Sequence, residues 1–127
     1  TCFWDHILQS LNQEDLALLN LQKNNVNNHT FIESLKKNNI LCENVKWQGT
    51  LMHKKLLDEN FDAVKEYNEN TINSGHDCST CDPFLCLISK LLKLDIDHLY
   101  QNSLIQYRID DSRRLLYFKS NSGHFYI

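Results

Sequence analysis

The chain has 127 residues, 42% of them hydrophobic and 23% charged, enough for one domain with a real core and too few for two of comfortable size. No apolar run approaches the ~18 residues a membrane span needs, and no secretory segment or lipidation signal is expected. A formal net charge of -3 gives no general attraction to phosphate, so neither nucleic acid nor membrane is an expected partner; the basic runs are as short as Lys36-Lys37 and Arg113-Arg114.

Taken in order, Phe3, Ile7, Leu8 and Leu11 fall at helical spacing, which puts Cys2 at or just before the first turn of a helix of about ten residues. Asn12-Gln13-Glu14-Asp15 can cap a second apolar helical turn from Leu16 to Leu21. Lys23 to His29 is Asn-rich and aperiodic, and reads as a solvated loop. Thr30-Phe31-Ile32-Glu33 has capping-box form and opens a short helix through Lys37, ending at Asn38-Asn39. Trp47-Gln48-Gly49 is a break, and Thr50 is the expected cap of a helix that carries Leu51, Leu56, Leu57, Phe61 and Val64 on its apolar face as far as Tyr67. Glu69 to Gly75 is polar and reads as loop.

Asp82-Pro83 is the clearest helix start, because Asp accepts the unpaired first amides and Pro costs nothing at the first helical position. Phe84, Leu85, Leu87, Ile88, Leu91 and Leu92 cover most of the circumference that follows, so this is the expected buried central helix. The period then changes to two. Ile96, His98 and Tyr100 form one run, Ile105, Tyr107 and Ile109 a second, and Leu116 and Phe118 a third. Asp110-Asp111-Ser112 is a turn, and Ser120 to Gly123 another before a last strand at His124. Helices followed by strands make an α+β domain over residues 1–127, with N-terminal helices packed on a C-terminal antiparallel β-meander.

Chemistry-bearing residues are few. Five cysteines, at Cys2, Cys42, Cys78, Cys81 and Cys86, are odd in number and irregular in spacing, which points to a reducing compartment and a cytoplasmic address. Fifteen asparagines fit the AT-rich coding sequence of a virus, an intracellular bacterium or a protist, so a host's cytoplasm is also an expected address. His76 to Cys81 contains a Cys-x-x-Cys pair with the spacing of half a zinc site, which Cys86 or His76 would complete. No second pair exists, so free thiols and no bound metal or cofactor are expected. His6 lies one helical turn after Cys2; His29 falls in a polar loop and His53 near a helix start. Asp95-Asp97 and Asp110-Asp111 flank a strand and make a turn.

Cys2 and His124 stand out by placement. A helix N-terminus favours a thiolate through its unpaired amides and its dipole, and the histidine follows a glycine at the start of a strand. Cys2-Phe3-Trp4 with Ile7 and Leu11, the Phe84–Leu92 helix, the run Ile96-Asp97-His98-Leu99-Tyr100 and the terminal Gly123-His124-Phe125 together resemble the ovarian-tumour (OTU) family of papain-like deubiquitinases. Cys2 and Gly123-His124-Phe125 are also similar to the two boxes of ubiquitin-specific proteases, whose domains are much longer. The family's Asp-Gly-x-Cys box has Thr1 as its only counterpart before Cys2, and Tyr126 stands where the family carries Asn or Asp.

The resemblance implies a monomeric cysteine protease that cleaves ubiquitin or a ubiquitin-like protein from lysine. Cys2 would be the nucleophile and His124 the general base. Asn121, or a residue outside the box, would orient the base. Trp4 or the Trp47-Gln48-Gly49 loop is the candidate wall of a groove for the modifier's tail. A viral autoprotease of the same fold, and a non-catalytic binding module with or without zinc, are the alternatives.

Overall fold

The computed structural model describes residues 2–68, 81–121 and 124–126, with the backbone alone at residues 2, 121 and 124–126. The expected loop at Glu69 to Gly75 and the half-site residues His76 and Cys78 lie outside the described residues. The elements run α1 (Cys2–Ser10), α2 (Gln13–Ala17), α3 (Asn28–Lys37), β1 (Val45–Trp47), β2 (Thr50–Leu51), α4 (Lys54–Lys65), α5 (Pro83–Leu92), β3 (Asp95–Tyr100), β4 (Ser103–Ile109), β5 (Leu115–Asn121) and β6 (His124–Tyr126). The chain is an α+β domain.

Each start signal can be checked against the cap that forms. Asn12 caps α2, accepting from the Asp15 amide while the Asp15 carboxylate accepts from the Asn12 amide. That helix is shorter than the apolar turn predicted, because the chain leaves it after Ala17. Asn27, not Thr30, caps α3; Thr30 occupies the third helical position and its hydroxyl accepts from the Asn27 amide. Two capping-box patterns overlap here, and the earlier one gains three more helical residues. Asp82 caps α5 as expected, its buried carboxylate accepting from the Phe84 and Leu85 amides at 2.9 and 3.2 Å.

Thr50 caps nothing. Trp47 and Thr50 pair across a tight turn whose two central residues, Gln48 and Gly49, have φ of 54° and 84°, the left-handed pair that a type I′ hairpin requires. Strands this short carry too few residues to show a period of two. The following helix is capped instead by His53, whose Nδ1 accepts from the Leu56 amide at 3.2 Å. Gln48 also prolongs the sheet, since its amide donates to Gln106 O and its side-chain oxygen accepts from the Gln106 amide, both at 2.9 Å.

The six strands lie in the order β2-β1-β4-β3-β5-β6. The expected antiparallel meander is corrected at one place: β5 runs parallel to β3, from Asp95↔Leu115 to Tyr100↔Ser120. After β4 the chain passes under the start of β3 and takes a place on its far side. Backbone bonds hold the crossing, from Arg113 N to Lys93 O at 2.8 Å and from Asp95 N to Arg114 O at 3.0 Å. Periodicity identifies strands but carries no information on their order. Ser120 belongs to β5, not to the turn.

One sheet face, with Ile96, Ile105, Tyr107, Leu116 and Phe118, is buried against the helices. Helix α5 lies at the centre; Phe84 to Ser89 and Leu92 are all buried, and it packs on β4, β1, β3 and α4. Tyr107 locks helix to sheet, its hydroxyl accepting from the Asp82 amide at 2.9 Å. Burial pushes the Tyr107 phenol well above its usual value.

Arg113 and Arg114 form no basic patch. Both guanidiniums bond to the fully buried carboxylate of Asp15, and each also donates to a helix-end carbonyl, Leu92 O for Arg113 and Ser10 O for Arg114. Burial raises the Asp15 pKa, but the bonds from Arg114, the Asn12 amide and Arg113 outweigh it and hold the group below its ordinary value.

Three outcomes follow from these contacts. Arg114→Met should lower the unfolding free energy in urea by about 3 kcal/mol, because it leaves a buried carboxylate short of a partner. With its folded-state pKa depressed, Asp15 contributes stability that is present above the unfolded carboxylate value and lost as pH falls through the folded one. The urea midpoint should therefore drop on acidification, and less steeply in Asp15→Asn. Tyr107→Phe should cost about 1–3 kcal/mol by stranding the Asp82 amide, measured by the same titration.

Candidate functional site

Helix α1 is anchored along its length. Trp4 is fully buried, edge-on to Phe3 and Phe84 with centroids 4.9 Å away in each case, and its indole N–H donates to the Tyr67 hydroxyl at 3.2 Å. Phe31 of α3 meets the same ring at 6.2 Å. Trp4 is therefore a packing residue and cannot wall a surface groove. Such burial in an aromatic cluster is the ordinary use of an indole with a partner for its N–H. Trp47 is half-buried against the core.

This anchoring matters because α1 begins at Cys2 and lies against β6, which begins at His124. The first and last described elements are thus in contact. Strand β6 pairs with β5 in the register Asn121↔His124, Ser120↔Phe125, Lys119↔Tyr126, so Asn121 is the cross-strand neighbour of His124. The side chains of Cys2, Asn121 and His124 lie outside the described residues, and the placement is one of backbone. His6 is half-buried on α1. Asp5, exposed on the same helix, has its pKa lowered chiefly by the hydrogen bond from the Asn28 side chain, 2.8 Å away.

Beside β6 lies a buried polar pair, of which the sequence reading places His98 in a strand and Ser120 in a turn. His98 is fully buried, with Nε2 2.6 Å from the Ser120 hydroxyl and its ring edge-on to Tyr100 at 5.5 Å. Ser120 is the register partner of Phe125. The pair joins β3 to β5 next to the strand that carries His124. A histidine at an inward position of an alternating run is the signal that marks it.

The second chemistry-bearing cluster gathers around the start of α5. Cys86 is fully buried, as its place on the apolar helix implies, and Cys81 is half-buried. Their sulfurs are 3.7 Å apart. Met52 Sδ lies 3.8 Å from Cys81 Sγ and 3.9 Å from Cys86 Sγ. The amide nitrogen of Asn60, itself buried, is 3.5 Å from Cys81 Sγ and 3.9 Å from Cys86 Sγ. The hydrogen bond with Cys86 lowers the Cys81 pKa; burial opposes this and Asn60 assists it. Cys86 moves the opposite way, raised by the same bond and by its burial. Cys42 stands apart, and burial pushes it up to about 12. Among the described residues no three His, Cys, Asp or Glu side chains come together as a metal cage. Asp95 and Asp97 are spent on structure, the first accepting from the Ile109 amide and the second paired with Arg108 at 2.7 Å.

Comparison of the chain with protein-family models, curated proteins and solved structures finds no match in any of the three. No described helix is long and apolar enough to cross a membrane.

Thiol chemistry should sort with these environments, since the thiolate is the nucleophile. In the native protein at pH 8, iodoacetamide labelling followed by peptide mass analysis should modify Cys81 well before Cys42 or Cys86. Equal labelling of Cys42 and Cys81 would contradict the assignment.

Proposed function

We propose that the chain is a papain-like cysteine protease domain of OTU type that hydrolyses the isopeptide bond between a ubiquitin-like modifier and lysine. The observation that supports this reading is the contact between α1, the helix that begins at Cys2, and β6, the strand that begins at His124. The order of boxes in the sequence supports it too, as does the α+β architecture with the α5 helix leading into β3.

In the proposed reaction His124 takes the Cys2 thiol proton, and the positive end of α1 favours the resulting thiolate. The thiolate attacks the carbonyl carbon of the modifier's C-terminal glycine. The oxyanion formed is met by backbone donors, the Cys2 amide among them, each worth roughly 3 kcal/mol of barrier. As the intermediate collapses, the C–N bond breaks and the imidazolium gives its proton to the leaving lysine amine. Water, deprotonated by His124, then hydrolyses the thioester and restores the thiol. Asn121, next to His124 across the β5–β6 ladder, is the proposed orienting residue. Such a thiol needs a reducing compartment, so we place the protein in the cytoplasm and its partner, the modifier, there as well.

A ubiquitin probe with an electrophilic C-terminus tests this directly. The protein should gain the mass of one probe, and Cys2→Ala should gain none. His124→Gln should slow adduct formation at least a hundredfold, in the range that general acid–base residues supply, whereas Asn121→Ala should slow it less and shift its pH profile. A folded protein that ignores both ubiquitin and ubiquitin-like probes would overturn the proposal.

A further inference from the structure

The reaction at Cys2 makes no use of the sulfur cluster at the start of α5. Cys81 precedes the cap Asp82, and Cys86 follows it by four residues. These are the two positions where apolar side chains commonly staple the entry of a helix. Here both are thiols, and Met52, from the segment between β2 and α4, closes a triangle with sides of 3.7, 3.8 and 3.9 Å. We propose that Met52, Cys81 and Cys86 form a three-coordinate binding site for a soft monovalent metal ion, copper(I).

Geometry and donor chemistry agree. An ion at the centre of this near-equilateral triangle would stand about 2.2 Å from each sulfur, close to the ~2.3 Å of a zinc–thiolate bond, so binding needs little movement. Two thiolates and a thioether are the donors that select copper(I) over harder ions.

The surroundings fit an anionic metal–thiolate group. Asn60 Nδ2 covers one face of the triangle, 3.6 Å from Met52 Sδ, 3.5 Å from Cys81 Sγ and 3.9 Å from Cys86 Sγ. Its N–H groups offset charge at the sulfurs, the usual task of groups behind the ligands. The N-terminal end of α5 contributes in the same sense. Cys86, Met52 and Asn60 are buried and keep water out, whereas the half-buried Cys81 offers the way in. Binding replaces the two thiol protons by one copper(I) ion; both protons go to solvent and no electron is transferred.

The test uses the full chain with Cys2→Ser and Cys78→Ser, which removes two competing thiols. Copper(I) is titrated anaerobically against bicinchoninate, a coloured competitor. One equivalent should leave the chelator, two protons should be released, and the thermal midpoint should rise. Met52→Leu, which keeps the volume of the side chain, should weaken binding at least tenfold, and Cys81→Ser should abolish it, with urea midpoints verifying that both variants fold. Copper that stays with the chelator, variants that bind as tightly as their parent, or tighter binding of zinc than of copper(I) would each overturn the proposal.

Discussion

The carboxylate of Asp15, buried between two arginines, is the interaction on which the arrangement of the molecule depends. An ion in the interior is tolerable only when its lone pairs are filled, and Asp15 fills its own from three directions: Arg113, Arg114 and the Asn12 amide. Because the arginines lie between β4 and β5 and also bond the last carbonyls of α5 and α1, one charge gathers four parts of the chain. Arg114 ties the end of α1 into that closure, and α1 in turn lies against β6.

Around it the core follows ordinary burial. Helix α5 hides nearly all its surface beneath the sheet, and the Asp82 cap joins its start to β4 through Tyr107. Trp4 performs the same service for α1, reaching α3, α5 and, just beyond α4, Tyr67 with one ring. A proposed nucleophile at a helix start needs such rigidity, since an orientation held by packing costs nothing at the moment of reaction. The sulfur cluster lies at the opposite kind of place, where a helix entry that an apolar staple would simply close is lined with polarisable donors.

Much of the fold was legible because local chemistry and tertiary structure agree. Asp82-Pro83 starts a helix wherever it stands, and the alternation in Ile96-His98-Tyr100, Ile105-Tyr107-Ile109 and Leu116-Phe118 reports faces that are buried in fact. The capping pattern at Thr30 failed for a local reason: Asn27 offers the same cap one turn earlier, and the longer helix wins. Gln48-Gly49 was read as a break although a left-handed pair between two short strands is a hairpin. Arg113-Arg114 looked like a small basic patch because a sequence does not display the aspartate, 98 residues away for the first of them, that consumes both charges.

By itself, the sequence determined the α+β class, the buried helix, the four C-terminal strands and the two residues proposed for thiol chemistry, because period, caps and helix starts are properties of neighbouring residues. Only the tertiary structure decided that β5 runs parallel beside β3, that Trp4 is core rather than groove, that α1 lies against β6, and that the sulfurs of Met52, Cys81 and Cys86 stand within 4 Å of one another. Each of these joins residues far apart in the chain, and no local pattern records which distant partner will satisfy a buried group.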